Sequence, residues 1–187
     1  MRIFVAIKLP EPVIQGLETV RGGLHEFDDV LRYPNPTGYH ITLAFLGEQD
    51  AVMPEVIEAG LRTAAAGFGA FNLDLGAGGS FPEGRPARLI WLRVEGEVRR
   101  IHTLQNLIAA ELRQLGLRLE ERPFSPHVTL ARVARHATDP QRRRLREIAA
   151  GLDGYDVGSF TVREVSIMAS TLLPTGAVHT PLAGIPL

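Results

Sequence analysis

The sequence predicts an α+β fold built from two similar lobes of largely antiparallel sheet. Strand-like and helix-like segments follow one another in mixed order, with hairpin-like pairs as well as crossover connections. In addition, a His-x-Thr-Leu motif at His40–Leu43 returns at His127–Leu130, after close to half of the 187 residues. A motif that recurs at this distance favours two lobes related by a pseudo-twofold axis within one domain, residues 1–187.

The N-terminal part of the chain predicts three strands and two helices. Residues 2–8 are apolar at nearly every position, which indicates a strand buried on both faces. Apolar residues at three- and four-residue spacing predict helices from residue 11 to about 24 and from about 51 to 66. Between them we expect a short strand at 30–33, a turn, and the first motif strand at 39–46.

The C-terminal part adds the second motif strand and the remaining elements. Residues 76–86 contain four glycines and two prolines, which predicts a loop long enough to form a functional rim. On either side of this loop we expect the following elements: strands at 71–75, 89–94, 127–133, 160–170 and 178–182, and helices at about 96–115 and 139–150.

The composition limits the classes of protein and of site. The chain has no cysteine, which excludes disulfides and thiolate metal sites. No apolar run approaches the ~18 residues of a membrane-spanning helix, so we expect a cytoplasmic protein with no membrane partner. A net charge of −1 argues against coating of long nucleic acid but permits binding of a short RNA end. We expect a monomer, in which the arginines of 142–146 form a solvated helix face or an RNA-binding stripe.

Each motif places a histidine and a threonine on one face of a strand. Residues i and i+2 of a strand lie about 7 Å apart on the same face, so two such strands could enclose one small anion. Two imidazoles supply a base and an acid near neutral pH, and threonine hydroxyls donate hydrogen bonds to phosphate oxygens. Two copies arise by chance in roughly one chain in a thousand of this composition. The pattern favours metal-free attack at phosphorus, with a 2′,3′-cyclic phosphate as a natural substrate.

Simpler interpretations of the same residues stay open at this stage. Each histidine could be a hydrogen-bonded residue at the end of a buried strand, and each threonine an ordinary β-branched strand residue. A metal site is a weaker alternative, because the motifs contain no carboxylate and metal sites use three or more protein ligands. His136 shares the His-x-Thr spacing, but Asp139 and Pro140 follow it and indicate a helix start near Asp139.

The two motifs stand in a distinctive sequence context: Arg2-Ile3-Phe4-Val5-Ala6 at the start, Phe45-Leu46-Gly47 after the first motif, Pro126 before the second, Ala131-Arg132 after it, and Ser170 to Ala177 in the tail. With these surroundings, the motifs resemble the 2H phosphoesterases and, within them, the bacterial RNA 2′,3′-cyclic phosphodiesterases, long called 2′-5′ RNA ligases. The resemblance spans nearly the whole chain.

This resemblance implies one histidine and one threonine from each lobe in a water-filled cleft, with no metal and no cofactor. His40 is similar to the proton donor to the leaving ribose oxygen, and His127 to the base that activates water. Thr42 and Thr129 match the residues that hold the phosphate. Arg132 matches a phosphate-binding arginine, although strict alternation puts it on the face opposite Thr129 unless the strand bulges. The implied substrate is RNA with a 2′,3′-cyclic phosphate end, or a small cyclic nucleotide, opened to a 2′-phosphomonoester.

Two further functions use the same residues. With an RNA 5′-hydroxyl in place of water, the site would join cleaved tRNA halves through a 2′-5′ bond. A module that binds RNA ends without turnover is the second alternative, which the intact motifs disfavour. Phe81 and Tyr39 are candidate stacking platforms for a nucleobase, with core packing or loop anchoring as the alternative. His179 stands where relatives more often have an aromatic residue such as Tyr, so base preference could differ if that position contacts the base.

Overall fold

A single antiparallel sheet runs through the structure, a computed structural model that describes residues 1–152, 155, 157–173 and 176–187. The described residues form nine strands: Arg2–Lys8 (β1), Leu31–Arg32 (β2), His40–Glu48 (β3), Phe71–Phe81 (β4), Leu89–Gly96 (β5), His127–Val133 (β6), Ser159–Val162 (β7), Glu164–Leu173 (β8) and Gly176–Pro186 (β9). They also form four α-helices: Glu11–Gly22 (α1), Met53–Ala65 (α2), Val98–Gln114 (α3) and Asp139–Ala150 (α4). The strand order is β7-β4-β5-β6-β3-β1-β8-β9, and β2 also pairs with β6.

Two four-stranded halves meet at the centre of this sheet. There β3 and β6 pair antiparallel through Ile41 and Val128, which are both fully buried. Moving outward from this central pair, β3, β1, β8 and β9 follow on one side and β6, β5, β4 and β7 on the other. Because the central strands are antiparallel, a pseudo-twofold axis passes through the sheet at this pair. The predicted α+β class with two related lobes is confirmed.

Both faces of β1 are buried, as its sequence predicts. Ile3, Val5 and Ile7 belong to the large core that the helices and one face of the strands share. On the opposite face, Phe4 and Ala6 form a small separate apolar cluster with another buried residue, Met168 of β8. The apolar run at residues 2–8 therefore packs into two different clusters. The smaller cluster, through Phe4, lies beside His40.

The predicted loop at 76–86 is wrong in its first half, because β4 continues to Phe81. The glycines in this segment allow close packing rather than a turn. A Cβ atom at Gly79 would collide with the indole ring of Trp91, the residue that Gly79 faces on β5. A Cβ atom at Gly78 would collide with Ala149 of α4. Composition alone does not distinguish glycines that turn a chain from glycines that let a large neighbour approach.

The four predicted helices are present. Helix α4 has the predicted bounds, and the ends of α1, α2 and α3 differ from prediction by at most two residues. The predicted start near Asp139 is a capping box at Thr138, whose hydroxyl accepts a hydrogen bond from the backbone N–H of Gln141. Within the described ranges, no helix is long and apolar enough to cross a bilayer. Pro174 and Thr175, in the tail segment that contributes to the family resemblance, lie outside the described residues.

Replacing Gly79 with alanine tests the packing explanation for the glycine-rich part of β4. We expect Gly79→Ala to lower the free energy of unfolding by about 1–3 kcal/mol, because the new methyl group overpacks the contact with Trp91. Gly22→Ala is the matched control, since a Cβ atom there meets nothing within 4 Å. We expect this variant to be about 0.4–1 kcal/mol more stable than the original protein. Urea unfolding curves measure both, and equal stability of the two variants would contradict the explanation.

Candidate active site

His40 and His127 are the first residues of β3 and β6, the two strands that meet at the centre of the sheet. Because the central pair is antiparallel, His40 comes beside Thr129, and Thr42 comes beside His127. The residues between them in each motif point into the core, so these four side chains share the opposite face. They surround the pseudo-twofold axis, and we call them the His-Thr quartet: His40, Thr42, His127 and Thr129.

Both histidines of the quartet make the same hydrogen bond to the backbone two residues earlier. The distance from His40 Nδ1 to the carbonyl oxygen of Gly38 is 2.7 Å. The distance from His127 Nδ1 to the carbonyl oxygen of Ser125 is also 2.7 Å. A carbonyl oxygen only accepts, so Nδ1 carries the hydrogen in both rings. The backbone carbonyl before each strand thereby leaves Nε2 as the nitrogen that can give or take a proton.

Arg132 lies on the same face as the quartet because β6 contains a bulge. Leu130 is an extra residue between the pairs that Thr129 and Ala131 make with β5. Leu130 and Ala131 are consequently both buried, and Arg132 is exposed on the side of Thr129. An equivalent bulge occurs in β3 at Leu43. The bulge is the local irregularity that simple alternation does not foresee, and it brings the guanidinium toward the site.

Phe45 on β3 occupies the position that corresponds to Arg132 on β6. Its side chain is 41% exposed, and the guanidinium carbon of Arg2 lies 5.4 Å from the centroid of its ring. The sequence indicates Phe45 only through the family resemblance. Which face of β3 the Phe45 side chain occupies depends on the bulge at Leu43. The pseudo-twofold axis therefore relates Arg132, whose charge acts on His40, to Phe45, an exposed aromatic ring on the other side of the quartet.

Two rings flank each histidine of the quartet. Around His40, the ring centroids of Phe4 and His179 lie 4.9 Å and 5.1 Å away. Around His127, those of Phe81 and Trp91 lie 5.4 Å and 6.2 Å away. The structure thus places Phe81 beside the quartet, and its role as a base platform stays a prediction. It also brings His179, from the far end of the chain, into edge-on contact with His40.

Tyr39 does not lie in the site, and the prediction that it stacks on a nucleobase is wrong. It is the residue before β3, and its side chain points into the core with only 2% of its surface exposed. The phenol hydroxyl donates a hydrogen bond to Glu18 Oε1 at 3.1 Å. Core packing, the alternative considered from the sequence, is the correct interpretation, because no face of the ring is open to a ligand.

Burial lowers the pKa of His40 to about 4, well below the usual value for histidine. The hydrogen bond to Gly38 works in the opposite direction, whereas the positive charges of His179, His127 and Arg132 lower the pKa further. The pKa of His179 is also lowered, first by burial and then by Arg132. In the free protein at neutral pH the His40 ring is therefore neutral, in surroundings that favour an added negative charge.

Two buried side-chain nitrogens in the described part of the chain have no hydrogen-bond partner, Trp91 Nε1 and His179 Nδ1. Each belongs to a ring that contacts a histidine of the quartet. His179 therefore differs from His40 and His127, since its Nδ1 makes no hydrogen bond to a backbone carbonyl of the described residues. As for metal ligands, the described residues contain no group of three or more His, Cys, Asp or Glu side chains arranged to hold an ion.

The sequence model of the 2′-5′ RNA ligase superfamily matches residues 9–171 of this chain. The chain belongs to this superfamily. Its membership confirms the family prediction made from the two motifs.

Several superfamily relatives share almost the full length of the chain. An RNA 2′,3′-cyclic phosphodiesterase from Methanothermobacter thermautotrophicus is 31% identical over 183 residues, which cover 97% of this chain and 96% of that protein. A protein of the same name from Thermus thermophilus is 32% identical over 189 residues, covering 97% and 88%. The enzyme class predicted from the sequence is thus the one for which these relatives are named.

Solved structures of other proteins match the whole fold. A protein of Thermus thermophilus superposes with a TM-score of 0.80 at 26% identity, covering 100% of this chain and 98% of that one. LigT of E. coli, solved as a complex with 3′-AMP, superposes with a TM-score of 0.77 at 26% identity, covering 100% and 97%. These superpositions confirm the predicted fold independently of the motifs.

The ionisation of His40 in this superfamily member is measurable by NMR of its ring nitrogens and carbons. In the free protein we expect the ring to be neutral between about pH 5.5 and 7.5, because burial and nearby positive charge hold its pKa at about 4. Added inorganic phosphate places a negative charge beside the ring, so we expect the pKa to rise. His40→Asn assigns the signal. A free ring that is half protonated near pH 7, or a pKa that phosphate leaves in place, would contradict this electrostatic account.

Proposed function

We propose that this protein hydrolyses 2′,3′-cyclic phosphate ends of RNA to 2′-phosphomonoesters, with the His-Thr quartet as its catalytic centre. The observation that carries the proposal is the mirrored pair of Nδ1–carbonyl hydrogen bonds, each 2.7 Å long, which leaves two Nε2 atoms for one reaction. The names of the relatives support the same substrate, and the 3′-AMP complex of LigT supports a site for a ribonucleotide. We propose that RNA ends, or small cyclic nucleotides, are the binding partners.

His127 acts as the base and His40 as the acid in this proposal. Nε2 of His127 takes a proton from water as the water oxygen attacks phosphorus. The bond between phosphorus and the ribose 3′-oxygen breaks on the opposite side, and Nε2 of His40 gives that oxygen a proton. One water is consumed, and the proton balance of the enzyme is restored when His127 passes its proton to solvent and His40 regains one.

The substrate itself helps to load the proton onto His40. In the free protein the pKa of His40 is about 4, first because of burial and then because His179, His127 and Arg132 add positive charge. A bound cyclic phosphate carries a negative charge, which favours the protonated imidazole and raises that pKa. The acid is therefore generated where it is needed, on a ring that is neutral in the absence of substrate.

The remaining polar groups stabilise charge on phosphorus. Thr42 and Thr129 each follow a histidine by two residues and share its face, so their hydroxyls can donate to the non-bridging oxygens. Arg132, turned onto this face by the bulge at Leu130, adds a guanidinium that suits phosphate geometry. These groups stabilise charge that grows in the transition state, so we propose that the reaction needs no metal ion.

Replacing either histidine tests the proposed acid and base. We expect His40→Ala and His127→Ala each to lower kcat by at least about a hundredfold, since a positioned acid or base contributes about that much. The measurement is turnover of adenosine 2′,3′-cyclic phosphate, with circular dichroism to verify folding. His136→Ala is the matched control, because His136 shares the His-x-Thr spacing but lies outside the quartet. A loss below tenfold in both quartet variants, with folding intact, would refute the roles.

The need for a metal and the position of the product phosphate are tested in one assay. We expect full activity with excess EDTA and a product that carries its phosphate on the 2′-oxygen, identified by phosphorus NMR. Loss of activity in EDTA that added divalent cations restore would contradict the metal-free proposal. A 3′-phosphate product would show that the other ribose oxygen leaves.

Ligation at the same site is a second candidate, because the superfamily is named for 2′-5′ RNA ligation. An RNA 5′-hydroxyl in the place of water would give up its proton to His127 and form a 2′-5′ bond by attack on the same phosphorus. Incubation with cleaved tRNA halves distinguishes the two reactions, since only ligation yields joined RNA.

A further inference from the structure

Cations gather on the side of the quartet where His40 lies. Lys8 is the direct cross-strand neighbour of His40 on β1, and directly paired residues share a face. Its side chain is exposed, whereas the preceding Ile7 points into the core. Arg32 of β2 pairs directly with Arg132 of β6, and both are exposed. Like charges placed opposite one another repel, so this arrangement favours an anion near them.

Arg32 is held in place in a way that leaves part of its guanidinium available. Its Nη1 donates to the carbonyl oxygen of Leu31 at 2.8 Å and to that of Asp29 at 3.4 Å. Among the residues that the structure describes, Nε and Nη2 have no partner. Over the same ranges, Lys8, Arg32 and Arg132 form no ion pair with a carboxylate. Their charges are therefore available to an anionic ligand.

The opposite side of the quartet has a different character. Arg93 is the cross-strand neighbour of His127, as Lys8 is of His40. Beyond this one matching cation, the His127 side presents the rings of Phe81 and Trp91. The other guanidinium near that side, that of Arg2, lies over the ring of Phe45 and is offset by an ion pair with Glu48 Oε1 at 3.8 Å. The pseudo-twofold axis thus relates two similar reaction centres whose surroundings differ in charge, and this difference can orient a polyanionic substrate.

The direction of the reaction assigns the RNA chain to one side. In an in-line displacement, the attacking and leaving oxygens lie on opposite sides of phosphorus. If His40 protonates the leaving ribose oxygen, then the ribose lies on the His40 side. The rest of the RNA continues from the 5′-oxygen of that ribose. We propose that Lys8 and Arg32 form a binding subsite for the backbone phosphates that precede the terminal nucleotide, so that the enzyme prefers RNA ends to mononucleotides.

This inference rests on the proposed function, and the test compares two substrates that share the same reacting group. The substrates are adenosine 2′,3′-cyclic phosphate and a five-nucleotide RNA that ends in the same nucleotide, at about 50 mM salt. The readout is the ratio of kcat/KM for the RNA to kcat/KM for the mononucleotide. The variants are Lys8→Gln, Arg32→Gln and the double variant, with Arg93→Gln as the control on the opposite side.

We expect each single variant to lower this ratio about threefold and the double variant about tenfold, as is typical of exposed charge pairs. Each lost phosphate contact also lowers the slope of log KM against log salt by about 0.7 for single-stranded RNA. We expect Lys8→Arg to retain the original ratio and Arg93→Gln to change it less than about twofold. Because both substrates are measured on one enzyme sample, a folding defect lowers both rates and leaves the ratio unchanged.

Three outcomes would decide against the subsite. An unchanged ratio in the double variant would overturn it, and so would an original ratio near one. A selective loss in Arg93→Gln rather than in Lys8→Gln would place the RNA on the His127 side and also overturn it. Failure of the unmodified protein to open either substrate would instead refute the proposed function, so the two failures are distinguishable.

Discussion

The antiparallel pairing of β3 and β6 is the constraint on which the site depends. A single buried pair, Ile41 with Val128, joins the two halves of the sheet. Because the strands are antiparallel there, each histidine comes beside the threonine of the other motif. A junction shifted by a single residue would send one set of side chains into the core. A parallel junction would place histidine beside histidine and threonine beside threonine. Two motifs far apart in sequence therefore form one centre through local strand geometry.

The two histidines share their backbone support and differ in their surroundings. In both, a carbonyl oxygen two residues earlier holds the Nδ1 hydrogen, which selects the tautomer. Burial lowers the pKa of His40 to about 4, and a second imidazole and an arginine near the ring lower it further. His127 lies beside the rings of Phe81 and Trp91. The backbone around the two histidines is thus nearly symmetric, whereas their side-chain neighbours differ. Such a difference suits one histidine to act as the acid and the other as the base.

Local sequence patterns predict most of the fold. The errors occur where a contact with a residue of another strand determines the local structure. The apolar runs and helical spacing indicated the strands and the four helices, because burial imposes a period on each element. The glycines of β4 predict a loop from their composition. Gly79 instead lies in a strand, where the absence of a side chain lets Trp91 pack against it. No local signal reports such a contact, since the two residues belong to different strands.

The sequence predicts the site residues that belong to the two motifs. It does not predict those whose position depends on strand register or on a bulge. The His-Thr quartet follows from residue types and spacing alone. The position of Arg132 required the bulge at Leu130, and the burial of Tyr39 required knowledge of its contact with Glu18. Lys8 and Arg32 lie near the site because they pair with His40 and Arg132 on neighbouring strands. The sequence alone does not predict these strand pairs.

The most direct measurement is a crystal structure of the protein with adenosine 2′-phosphate bound. We expect the phosphorus atom on the pseudo-twofold axis, with Nε2 of His127 within about 2.6–3.2 Å of a phosphate oxygen. On the opposite side, we expect Nε2 of His40 within the same distance of the ribose 3′-oxygen. A ribose 3′-oxygen beside His127, or a phosphate that binds away from the His-Thr quartet, would contradict the proposed roles.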